Sequence, residues 1–306
     1  MDQFGIMVGL NKKNAFEGWF SKVDDVNNDF MFSVIWGYST VENDRHAFIQ
    51  FTNSITHKTK YIRYPLEDLS FTKDPFILTI GQNKLSKDFM ALNINEVDLK
   101  VKGEFSFNNL KTLKKYFLKP NIMGILSYLP NECNHSISSL HHNVKGNISI
   151  NNKTFNIDGI GYMEKDWGTS FPKKYVWTQG SDVLENSVVF SNATVPILGR
   201  YATGFFLVIL HNDKEYRFSS IEGSKMLSFE ADHNSFKSKI QKGNLTVEIF
   251  AKQYNPISLK SPTMGEMKSS IKESLDGNLK VVLLENGKVS FEITNERASI
   301  DVHFNK

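Results

Sequence analysis

The chain has 306 residues, 40% hydrophobic and 23% charged, a size and composition that suit one or two compact domains and exclude disordered, collagen-like and disulfide-framework proteins. A net charge of +3 with no run of five like charges excludes an electrostatic nucleic-acid surface, so no nucleic-acid partner is expected. The single cysteine, Cys133, permits no intrachain disulfide, and no basic-then-apolar leader or ~20-residue apolar tract is present, so a cytoplasmic location is expected.

Aromatic residues make up 12% of the chain, which favours strands and apolar cavities. In chain order, Phe16–Lys22 reads as a first strand, followed by strands over Phe30–Gly37, Ala47–Phe51, Tyr61–Tyr64, Phe76–Ile80 and Val97–Phe107. Leu110, Leu113 and Phe117 repeat at helical spacing, which predicts a helix over Asn109–Leu118 that Pro120 stops. A loop-like stretch, Pro120–His142, then interrupts the strand series.

Four hairpins are predicted beyond it, at Asn151-Asn152, at His211-Asn212-Asp213, at Asp276-Gly277 and at Asn286-Gly287. Sequential hairpins argue for antiparallel up-and-down topology closing as barrels. The expected fold is therefore all-β, and if it has two β units they meet at the loop-like stretch.

Three patches break the alternation. Glu17-Gly18-Trp19-Phe20-Ser21-Lys22 sets an acid and a base around a tryptophan. Glu132-Cys133-Asn134-His135, followed by His141-His142, gathers histidines beside a carboxylate, a combination that serves acid–base work or, if the segment turns, metal ligation. Gly161-Tyr162-Met163-Glu164-Lys165-Asp166-Trp167-Gly168, running on to Pro172, Trp177 and Gln179, puts Glu164 and Asp166 on one face of a strand. Two carboxylates on one face inside a barrel repel, so one tends to keep its proton near neutral pH. Phosphate-cradling glycine loops, G-x-S-x-G, H-E-x-x-H and G-x-G-x-x-G after a strand are all missing.

At these patches the chain resembles the tocopherol cyclase-like family. Glu17 to Lys22 stands for its E-G-W-Y-F-K signature, with Phe20 and Ser21 replacing aromatic positions. Met123-Gly124 through Glu132–His135 to His142 and Gly146 resembles its centre, though the proline that commonly follows the glycine is missing. Gly161–Pro172 meets the block G-Y-x-E-K-D/N-W-G-x-S-F-P in full, and Pro262, Gly265, Met267 and Glu273 fit the C-terminal segment.

The family resembles lipocalin-like carotenoid hydratase and AttH-type proteins, which implies a pair of antiparallel β-barrel domains, here an N-terminal one over residues 1–143 and a C-terminal one over residues 144–306. It also implies cofactor-free, metal-free cyclisation of a prenylated quinol or phenol to a chroman. On this resemblance Asp166 or Glu132 is the proton donor, His135 its tuning partner or the base for the phenol, and Glu164 the cation stabiliser. Glu17, Trp19, His142, Tyr162, Trp167, Trp177 and Gln179 are the expected substrate-binding residues. Lys22 and Lys165 are expected to pair with Glu17 and Glu164. A hydratase or isomerase acting on an isoprenoid alkene, or a non-catalytic carrier of apolar ligands, would suit the same fold. The implied partner is an apolar prenylated small molecule, with at most transient contact with a membrane surface.

Overall fold

The computed structural model describes residues 3–114, 121–124, 131–197 and 200–304. The described residues form 21 strands and one 3-10 turn, Leu66–Asp68, with no α-helix among them. Among the described residues no helix is long and apolar enough to cross a membrane. The chain divides into two compact units: unit 1 comprises Met1–Lys114, Asn134–Ser170 and Lys260–Ser269, and unit 2 comprises Lys115–Cys133, Phe171–Leu259 and Ser270–Lys306.

Unit 1 is built on β1 (Phe16–Asp25), β2 (Phe30–Ser39), β3 (His46–Asn53), β4 (Lys58–Tyr64), β5 (Leu69–Lys73), β6 (Phe76–Ile80), β7 (Asn83–Ser86), β8 (Phe89–Asn95), β9 (Lys100–Lys111), β10 (Cys133–Ile150) and β11 (Lys153–Gly168). They form one antiparallel, nearly closed lipocalin-like sheet in the order β4-β3-β2-β1-β11-β10-β9-β8-β7-β6-β5. Two meanders thus meet where β1 pairs with β11.

The interior follows from strand periodicity. In β2 every second residue, Phe30, Phe32, Val34, Trp36 and Tyr38, is buried in the core. Phe30 stacks on Phe155 at 4.5 Å and Phe32 lies 5.3 Å from Phe105. Such ring pairs contribute about 0.5–1.5 kcal/mol each beyond their burial.

Unit 1 also takes in the distant segment Lys260–Ser269. Gln50 receives the Lys260 N–H on Oε1 and donates from Nε2 to the Lys260 carbonyl, both at 2.8 Å. Gly265 N–H donates to the Thr169 carbonyl at 2.6 Å, and Ser39 Oγ donates to the Gly265 carbonyl at 2.8 Å.

Apart from the Lys260–Ser269 stretch of β19 and β20 that belongs to unit 1, unit 2 is built on β12 (Lys174–Ser181), β13 (Ser187–Ile197), β14 (Arg200–His211), β15 (Lys214–Ser219), β16 (Lys225–Ala231), β17 (Ser235–Lys242), β18 (Leu245–Lys252), β19 (Ile257–Thr263), β20 (Glu266–Glu285) and β21 (Lys288–His303). Its sheet runs β15-β14-β13-β12-β21-β20-β18-β17-β16, with β19 pairing β20 off that path. A second core lies on the face of Val176, Phe190, Leu207, Val281 and Ile300.

Four expectations need correction. The division does not fall at 143/144, because β10 and β11 form a hairpin about Asn151-Asn152 and β11 returns to pair with β1, which keeps the chain in unit 1 to Ser170. The predicted helix is absent at Asn109–Lys111, which belongs to β9 and pairs with β10 across a bulge; its part at residues 115–118 lies outside the described residues. A helix of about ten residues is marginal in water, and a sheet partner wins.

The supposed loop at 133–142 is the start of β10. Asp276-Gly277 is not a hairpin but a bulge within β20, where the register with β21 shifts. Neither residue has the positive φ that a two-residue type I′ turn demands, whereas Asn151 and Asn152 have φ of 47° and 72°. A Cβ on Gly277 would come within 2.4 Å of Ile300, so that glycine serves close packing.

Candidate functional site

The chemistry gathers where β10, β11 and β1 of unit 1 run side by side, and strand alternation divides it between two faces. Trp19 and Met163 belong to the core, so the odd-numbered residues of β1 and β11 there point inward. Glu164 and Asp166 share the other face, with Phe20 opposite Glu164 in the register.

On the inner face, Glu17 Oε1 lies 2.7 Å from Lys165 Nζ, and both side chains are buried. The same carboxylate accepts the Met7 and Val8 backbone N–H groups at 2.7 and 2.9 Å and the Tyr38 hydroxyl at 2.5 Å. Burial, then the Glu17 charge, holds the Tyr38 phenol far above its ordinary range, so it remains a neutral donor. Lys165 also donates to the Gly5 carbonyl and lies 5.1 Å from the Trp19 ring centre and 5.0 Å from that of Trp167. Trp19 Nε1 donates to the Phe4 carbonyl at 2.8 Å.

These groups hold the segment before β1 against the sheet. Glu17, with four donors, and Trp19, through its indole N–H, tie that segment down. The ion pair expected between Lys165 and Glu164 joins Lys165 to Glu17 instead, because Lys165 and Glu164, adjacent in the strand, point to opposite faces.

His142 also lies inside, with its ring 4.8 Å from that of Phe107 and its Nδ1 3.0 Å from Ser139 Oγ. Burial, assisted by His141, pushes it down to about 3, so it is neutral. Gly161 makes room for it, since a Cβ there would sit 2.2 Å from His142 Nε2.

The other face carries the acid–base cluster. His135 Nδ1 is 2.9 Å from Asp166 Oδ1, and His135 Nε2 is 3.4 Å from Glu164 Oε2. Tyr162 donates its hydroxyl to Glu164 Oε2 at 2.6 Å, and its ring stands 6.3 Å from that of Phe20. Burial alone would push His135 down, but the Glu164 and Asp166 carboxylates outweigh it and raise the imidazole to about 9. At neutral pH His135 is therefore an imidazolium bridging two carboxylates. Burial, then the Glu164 charge, also keeps the Tyr162 phenol neutral, well above its usual range.

One ligand atom from each of His135, Glu164 and Asp166 lies within 4.8 Å of the others, close enough to hold a metal ion. A protonated imidazole has no lone pair to give, so a metal would have to displace that proton.

The structure thus brings together His135, Glu164, Asp166 and Tyr162 of the expected site residues. It leaves Glu132 exposed just before β10, and it places Glu17, Trp19, His142 and Trp167 on the inner face. Trp177 and Gln179 belong to β12 of unit 2. Phe20, a departure from the family motif, joins the face of the carboxylates through the register of β1 with β11, a pairing that alternation within either strand does not reveal.

The tocopherol cyclase-like family model matches residues 114–303. No curated protein matches the chain. Solved structures with a similar fold include an AttH-type protein from Nitrosomonas europaea, with 8% identity, a TM-score of 0.57 and coverage of 95% of this chain and 93% of that one. They also include kievitone hydratase from Nectria haematococca, with 11% identity, a TM-score of 0.50 and coverage of 94% and 89%. At such identities the likeness speaks for the fold alone.

Proposed function

Since the chain belongs to the tocopherol cyclase-like family, its model matching residues 114–303, we propose that the His135–Glu164–Asp166 cluster is the acid of a cofactor-independent enzyme acting on the alkene of a prenylated quinol or phenol. The observation that carries this reading is the buried His135 ring held between two carboxylates, with Asp166 the more exposed of the two at 21% against 7%. An imidazolium near 9 is too weak an acid to protonate an alkene directly. A carboxylic acid is stronger, so the reactive form is the minor one in which the His135 Nδ1 proton has moved to Asp166 Oδ1, an uphill transfer that counts toward the barrier, and Asp166 then delivers it to the alkene carbon.

The alkene π electrons form the new C–H bond and leave a tertiary cation, which Glu164 stabilises by charge and Phe20 and Tyr162 by their ring faces. The substrate's phenol oxygen closes the ring and its proton returns to His135. Atoms and electrons then balance without redox change. A positioned acid contributes about 10²–10⁴ in rate, so holding the tail against the phenol supplies much of the remainder.

The partial exposure of Asp166 supports a second reading, hydration, in which water reaches the cation before the phenol does. The name of kievitone hydratase is in keeping with it, as is the expectation of an isoprenoid hydratase.

Incubation with geranylated hydroquinone in heavy water, followed by mass spectrometry, tests both. One carbon-bound deuterium at otherwise unchanged composition supports cyclisation, and one deuterium with added water supports hydration. Binding without label in the wild type would leave a carrier, and label undiminished in both His135→Gln and Asp166→Asn would remove the cluster from the chemistry.

A further inference from the structure

Unit 2 has a buried polar patch of its own, on the face of β12 and β21 that points away from its core. Val176, Ile300 and Val302 face the core, so Tyr175, Trp177 and Gln179 of β12 and Ser299, Asp301 and His303 of β21 share the opposite face. The register sets Gln179 opposite Ser299, Trp177 opposite Asp301 and Tyr175 opposite His303. On its other side Asp301 faces Glu273 of β20.

Three side-chain atoms here have no hydrogen-bond partner among the described residues: Gln179 Oε1, Ser299 Oγ and Asp301 Oδ1. Their residues are 1%, 0% and 3% exposed. A buried polar atom left without a partner costs about 1–3 kcal/mol, and three in adjacent rows of one face make a standing demand for a polar guest.

The kind of guest follows from what is offered. Tyr175 donates its hydroxyl to Asp301 Oδ2, so a proton carried by this carboxyl sits on Oδ1, the open oxygen. Burial lifts Asp301 to about 7, against the smaller lowering by the Tyr175 hydrogen bond. The unmet set is then one carboxyl donor, one hydroxyl able to give or take, and one amide acceptor. A single hydroxyl, accepting from Asp301 and donating to Gln179, matches that set, and an anion would face both Asp301 and Glu273. Trp177, 8% exposed, supplies an aromatic wall in the same row, suited to an apolar body.

We propose that Gln179, Ser299 and Asp301 form a binding site in unit 2 for an uncharged, hydroxyl-bearing apolar molecule, seated against Trp177. This goes beyond the reading of His135 and does not depend on it, because the site is defined by binding and not by turnover.

Calorimetry with 4-octylphenol, its methyl ether 4-octylanisole and octylammonium tests it on the full chain. The phenol is expected to bind at least about tenfold more tightly than the ether, since the ether cannot donate to Gln179. Gln179→Leu should weaken the phenol by about tenfold while leaving the ether unchanged, whereas Asp301→Asn and Ser299→Ala, which meet the oxygen that phenol and ether share, should weaken the phenol by about tenfold and the ether with it. Ser299→Ala, the smallest change, keeps the test usable if Asp301→Asn does not fold. Equal binding of phenol and ether, tighter binding of octylammonium, or phenol affinity unchanged in the variants that fold would overturn the proposal. Because no reaction is read, a failed cyclase assay leaves this result standing, and the converse also holds.

Discussion

Lys165 and Asp166 are neighbours in sequence and stand on opposite faces of one strand: Lys165 Nζ is 2.7 Å from Glu17 Oε1 among the core aromatics, and Asp166 Oδ1 is 2.9 Å from His135 Nδ1. Adjacent charges therefore have separable work, one structural and one chemical, and substitutions should separate them.

Lys165→Met leaves the Glu17 carboxylate buried without its cation. Breaking one side of a buried pair costs about 3–5 kcal/mol, read by denaturant unfolding. Adding Glu17→Gln should recover part of that loss, because the uncharged amide still accepts from the backbone. A Lys165→Met protein as stable as the wild type would mean that the pair is solvated.

His135 ring signals followed by NMR should titrate near 9, against about 6.5 in an unfolded chain. The folded value is the higher one, so the stability this histidine contributes is fully present below about pH 6.5 and is lost as pH rises through about 9. Asp166→Asn should move the titration downward. A His135 that titrates below 6.5 in the wild type would remove the imidazolium from the site.

Zinc added at pH 7 should leave those ring signals in place. Displacing a proton held to about 9 weakens a competing metal roughly a hundredfold at that pH. Tight zinc binding with loss of the Nδ1 proton would turn the trio from an acid into a metal site.

Gly161→Ala drives a methyl group into the His142 ring, and overpacking of this kind costs about 1–3 kcal/mol. In a His142→Ala background the same change should cost much less. Purely additive costs would show that the two residues do not share space.

The turns were legible in the sequence where their chemistry is local. Asn286-Gly287 marks a hairpin because both residues must take positive φ, which they do at 50° and 78°. The common face of Glu164 and Asp166 was legible too, from alternation. The same alternation separates Trp167 from Asp166, yet placing both in one cavity was natural, because nearly every residue from Ile160 to Gly168 is buried on either face and no polar side marks the outside. Asp301 carried a signal that passed unread: in Ala298–Phe304 apolar residues alternate with serine, aspartate and histidine, a strand whose second face is polar. The start of β10 was hidden by its serines and histidines, which look like loop residues until β11 covers them.

The inclusion of Lys260–Ser269 in unit 1 bears on how the protein is made. A ribosome delivers residues 1–170 well before Lys260 emerges, so during that interval the Gln50 amide and the Thr169 carbonyl wait without the partners they later hold. Most of the strands of unit 2 are synthesised in the meantime. Neither unit can be excised by a single cut, and a gene truncated after Ser170 encodes a nascent intermediate, with exposed edges and a tendency to recruit chaperones, and not a finished barrel.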